Sequence, residues 1–169
     1  FSAFHGISLW ERGTMHARQI YYGSNGGASR SFCSTLERNG AIGQIAAQLF
    51  RVQKASSRAK VYRGGVRGSN GQRYSYRDMA YERKNECIER LCRILEHDSD
   101  GLKWGWGRDE AEFEAKHVLY VELPVGQVSF HCPMRYAGPD FDGEWDGEHL
   151  SQERVIEFCQ RVFNEGGTN

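Results

Sequence analysis

The chain has 169 residues, 39% of them hydrophobic, 26% charged and 12% aromatic, and its 22 Lys/Arg balance its 22 Asp/Glu. That length suits one domain, and the composition excludes a collagen, a coiled-coil rod and a disordered chain. No run approaches the roughly 18 apolar residues that a membrane-spanning helix needs, so no membrane partner is expected.

Residues 1–14, ahead of Met15, read as an upstream extension, and 15–169 as a single domain. Gln19–Tyr22 is a short strand candidate, closed by the glycine-rich stretch 23–27. From 34 to 60 the spacing predicts a helix, with Ile42, Ile45, Ala46, Leu49 and Phe50 on one buried face and Gly40 and Gly43 weakening its first turns. A Gly/Arg-rich loop follows from Arg63 to Arg73, too rich in breakers for lasting regular structure. Ser75-Tyr76-Arg77-Asp78 fits a capping box and opens a second helix over 76–96, whose stripe is Tyr81, Ile88, Leu91, Cys92 and Leu95.

Trp104-Gly105-Trp106-Gly107 suits a strand edge or an aromatic shelf. The run 117–132 alternates as a β-hairpin, with Val125-Gly126 at its tip. Pairing Leu123 with Val128, Val121 with Phe130 and Leu119 with Cys132 puts six apolar side chains on one face. Ser151 then caps a third helix, 151–163, with the stripe Val155, Phe158, Cys159 and Val162. The fold class is α+β, a small antiparallel sheet packed against three helices.

Five scattered cysteines and the absence of a secretory-signal pattern point to reduced thiols and a cytoplasmic setting. Cys87, Cys92 and Cys159 fall on apolar helical stripes and read as small core residues.

The overall neutrality hides a segregation of charge. Residues 1–97 hold 16 Lys/Arg and 7 Asp/Glu, whereas residues 98–169 hold 6 and 15. Arg51, Lys54 and Arg58 recur at helical spacing on one solvent-facing side, and Arg63, Arg67 and Arg73 carry the charge into a loop that also holds Tyr62, Tyr74 and Tyr76. Cations for phosphates, a pliable backbone and aromatic faces for bases are what a nucleic-acid surface requires. The competing explanation is a solvated basic face, or neutralisation of the basic half by the acidic segment 140–148.

Other chemistry is weaker. Asp142, Asp146, Gly147 and Glu153 match a calcium-loop spacing, but Glu144 and His149 depart from it and Pro133 and Pro139 preclude the incoming helix. This segment reads as a solvated acidic turn, with no metal and no cofactor expected. Tyr120, Glu122, Ser129 and His131 share the polar face of the hairpin, where they line an alternative small-molecule pocket or hydrolytic site. No nucleophile elbow, zinc-protease or phosphate-loop motif supports an enzyme.

The run from His117 through His131, with Gly138-Pro139-Asp140-Phe141 and Gly143-Glu144-Trp145-Asp146-Gly147, resembles uncharacterised proteins of phages and bacterial mobile elements over residues 117–160. The resemblance implies a bacterial accessory protein and carries no activity, so it assigns no site residue. The reading that results is a binding module for nucleic acid or another phosphate-rich ligand, more readily than an enzyme. A self-associating interaction protein is the third possibility.

Overall fold

The computed structural model describes residues 26–109, 116–132, 138–141 and 149–166. The strand expected at 19–22 and most of the acidic segment, 142–148, lie outside the described residues.

In chain order the elements are α1 (Gly26–Glu37), α2 (Gly40–Val61), β1 (Gly65–Arg67), β2 (Arg73–Ser75), α3 (Tyr76–His97), β3 (Trp104–Asp109), β4 (Lys116–Leu123), β5 (Gly126–Cys132) and α4 (Gln152–Gly166). The α+β class is as the sequence reads. The helix expected over 34–60 is two helices with a corner at Arg38-Asn39. Asn39 N–H bonds the Leu36 carbonyl at 2.9 Å, and Gly40 follows at φ +69, a left-handed conformation that ends a helix and that glycine adopts without strain. Gly43 is therefore more than a weak helix former. A Cβ there would stand 1.9 Å from the Leu36 carbonyl oxygen, so its absence lets α1 close onto α2. The Asn39 side chain turns away from its own helix and donates to the Val162 carbonyl at 3.2 Å, tying the corner to α4.

The central element is α2, which packs against α1, α3 and α4. That position explains why burial extends around much of its circumference, from Ile45 and Leu49 to Val52, Ala55 and Ala59. One hydrophobic cluster joins the four helices to the inner face of the β3-β4-β5 sheet. Cys33, Cys87, Cys92, Cys132 and Cys159 are all buried as free thiols. Burial pushes the Cys33 thiol up to about 11, and burial with neighbouring Cys132 pushes Cys92 up to about 12. These groups are protonated core residues near neutral pH and poor nucleophiles. Tyr81, expected in the core stripe of α3, is 40% exposed instead.

The hairpin needs a correction of register. Observed partners include Val121↔Val128, Leu119↔Phe130 and Tyr120↔Ser129, two residues away from the expected pairing. Because the slip is even, every side chain keeps its face: Leu119, Val121, Leu123, Val128, Phe130 and Cys132 are all buried. The turn explains the slip. Pro124 presets the φ of a turn's first central residue, and Gly126 leaves at φ +140, so the tip is Pro124-Val125.

At the sheet edge, the Trp-Gly alternation has a packing cause. Trp106 is 2% exposed on the core side. Gly105 opposes the backbone of Phe141, and a Cβ at Gly107 would meet the Tyr120 ring at 2.6 Å. Trp106 exchanges backbone hydrogen bonds of 2.8 Å with Pro139 and Phe141, so the returning chain adds a parallel bridge to β3.

Candidate phosphate-binding cleft

The sequence 63–73 forms a short hairpin, where the composition predicts an irregular loop. Val66 pairs with Tyr74 and Arg67 with Arg73. The turn is closed by Gly71 N–H to the Gly68 carbonyl at 2.9 Å and by the Asn70 side chain, which accepts from Gln72 N–H at 3.1 Å. Asn70-Gly71 is a turn dipeptide, and it outweighs the loop composition. Tyr76 N–H bonds the Gly64 carbonyl at 3.1 Å, so the hairpin runs directly into α3. Ser75 caps that helix by accepting from Asp78 N–H at 3.2 Å.

This arrangement places the end of α2, the root of the hairpin and the start of α3 around one cleft of about 800 Å³. Arg51, Lys54 and Arg58 of α2 line it, as their helical spacing predicts. Arg51 and Lys54 are half-buried and Arg58 is exposed, in a cleft that α1 and α3 also line. Arg30 comes from α1 and Arg83 from α3, making five cationic side chains. Phe50, Ala55, Met79 and Ala80 supply apolar lining. Tyr62 and Tyr76 stand together in the wall, ring centroids 6.1 Å apart and edge to face. No carboxylate lines this cleft among the described residues.

Arg83 of this cleft is ion-paired with Glu86, one turn along the same helix and outside the lining, at 3.3 Å. Arg51 makes an ion pair with Glu37. Both residues border a second cavity of about 490 Å³, which also holds Arg83 and Arg90. Arg51 and Arg83 thus face both spaces, and the basic surface continues between them.

The Lys54 ammonium is held below its ordinary pKa of 10.5. Burial is the main cause and the neighbouring Arg58 guanidinium the next, with Arg30 adding to the effect against Cys33. An anion placed beside these charges would favour the protonated ammonium. Walls of low polarizability around charge of one sign also concentrate the field on whatever enters.

Arg63, Arg67, Arg73 and Tyr74, the other residues singled out by sequence, sit on the exposed hairpin and its approach, adjacent to the cleft and outside its lining. Tyr62 and Tyr76, read from the sequence as aromatics beside the basic loop, do line the cleft, whereas sequence reasoning missed Arg30 and Arg83. Arg83 was detectable, since Tyr76, Ala80, Arg83 and Cys87 recur along one side of α3. Arg30 was hidden because the helix that carries it was not expected before Ser34.

The alternative pocket residues share the outer face of the β3-β4-β5 sheet. The Tyr120 ring stacks on Phe141 with centroids 5.0 Å apart. The Ser129 hydroxyl is hydrogen-bonded to the His149 imidazole. Glu122 N–H bonds the Lys103 carbonyl at 2.8 Å, and His131 is half-buried opposite Val118. None of these residues lines either of the two cavities. No group of three or more potential metal-ligating side chains occurs among the described residues. Likewise, no helix among them is long and apolar enough to cross a membrane.

No family model, no curated protein and no solved structure matches this chain.

Proposed function

We propose that the protein is a binding module for a phosphate-rich ligand, nucleic acid foremost, held in the cleft between α1, α2 and α3. One observation carries the reading: five cationic side chains from three helices converge on a single cleft whose described lining contains no carboxylate. An interior pocket for an apolar ligand would not gather this charge. A simple solvated basic face would not draw five cations to one place, because guanidinium groups repel one another and gain most from water when spread apart. Phosphates gain on both counts, through charge-assisted hydrogen bonds to Arg and release of their condensed counterions.

The direct test is binding of inorganic polyphosphate and of a mixed-sequence oligonucleotide to the full chain at low salt. Both are expected to bind, and the combined variant Arg51→Gln, Lys54→Gln, Arg58→Gln is expected to bind both more weakly while keeping its helical circular dichroism. Failure of the wild-type chain to bind either polyanion contradicts the proposal. A native mass of twice the chain with no polyanion binding favours self-association through opposite charges.

A further inference from the structure

The exposed apolar surface has an unusual location. Among the described residues, every large hydrophobic side chain that is exposed lies between Val61 and Tyr81, at the end of α2, on the β1-β2 hairpin and in the first turns of α3. Four of the seven are tyrosines. The stretch from Arg58 to Lys84 also carries eight Lys/Arg against two Asp/Glu. An apolar patch concentrated in the most basic part of the chain marks a contact surface, and its charge selects a polyanion as the occupant.

The tyrosines are held in defined poses. Tyr74 is 41% exposed, yet its ring lies across Gly68, where a Cβ would come within 2.7 Å of it. Its hydroxyl accepts a hydrogen bond from the Asn70 amide at 3.3 Å. Tyr62 and Tyr76 steady each other at the cleft wall, 36% and 39% exposed. The fourth, Tyr81, already carries the Arg77 guanidinium 5.8 Å from its ring centroid. Two of these rings thus line the basic cleft and the third stands on the adjoining hairpin. Exposed rings that are already ordered lose little entropy on stacking.

From this juxtaposition we infer that the ligand is single-stranded nucleic acid, its unpaired bases stacking on Tyr74, Tyr76 and Tyr62 while its backbone follows the cations of the cleft. A duplex hides its base faces and cannot use the rings, whereas every unpaired base offers a face, so the selectivity is for strandedness and tolerant of sequence. This inference rests on the cleft being a phosphate site.

The test measures affinity of the full chain, at one low salt concentration, for three oligomers of equal length. These are a mixed single strand, the same sequence as a blunt duplex, and an abasic strand with the same number of phosphates. The inference expects the single strand to bind at least about tenfold more tightly than the abasic strand, from one or more stacked bases. It also expects that gap to narrow in Tyr74→Ala combined with Tyr62→Ala. In a second variant, Tyr74→Phe with Tyr62→Phe, the gap is expected to persist, which separates stacking from any role of the hydroxyls. Equal affinity for the abasic and natural strands, or tighter binding of the duplex, overturns the inference and leaves the phosphate site standing. No binding of any of the three overturns both.

Discussion

Gly43 and Lys54 show how much single positions decide here. Gly43 has no room for a side chain, because the obstacle is the backbone carbonyl of Leu36, which cannot rotate aside. Gly43→Ala is therefore expected to destabilise the protein in urea unfolding, although alanine is the better helix former by about 1 kcal/mol. A stabilised variant would contradict the close approach of α1 to α2. Lys54 makes a prediction about protons. Its folded pKa lies below 10.5, so between that lowered value and 10.5 the unfolded chain binds more protons, and this group's contribution to stability rises with pH there. A bound polyanion favours the charged ammonium and draws the pKa back up. Binding at a pH between the lowered and the restored pKa is thus expected to take up protons, seen as a calorimetric enthalpy that varies with the buffer's ionisation heat. That dependence is expected to diminish in Lys54→Met.

The elements show where local rules suffice and where they do not. Ser75 is a helix start on sequence grounds and in the structure, and Ser75→Ala is expected to cost about 1 kcal/mol in thermal unfolding. Phe130 lies in the core in both the expected and the observed register, so Phe130→Ala is expected to cost about 3–5 kcal/mol. What the alternation could not supply was the hairpin's register, because pairings two residues apart bury the same six side chains. The choice lay in the Pro124-Val125 turn. The corner at Asn39-Gly40 and the turn at Asn70-Gly71 carried readable signals, an Asn-Gly pair in each, that the apolar stripe of one helix and the glycine content of one loop obscured. The close approaches at Gly43 and Gly107 had no local signal, since each depends on a residue elsewhere in the chain.

For the whole molecule, five cations of the basic part of the sequence come together in one cleft only through tertiary packing. Arg51, Lys54 and Arg58 were legible as a helical stripe; that they line a cleft with Arg30 of α1 and Arg83 of α3 was not, because it depends on how three helices cross. The proposed binding of phosphates in this cleft draws on displacement of their counterions. The decisive measurement is the affinity of a mixed single-stranded oligonucleotide across a salt series, for the wild-type chain and for the Arg51→Gln, Lys54→Gln, Arg58→Gln variant. Each phosphate contact on a single strand contributes a slope of about 0.7 in log affinity against log salt, so removing three cations is expected to flatten the line by about two units. Equal slopes for the two proteins, or an oligonucleotide that does not bind at low salt, would contradict it.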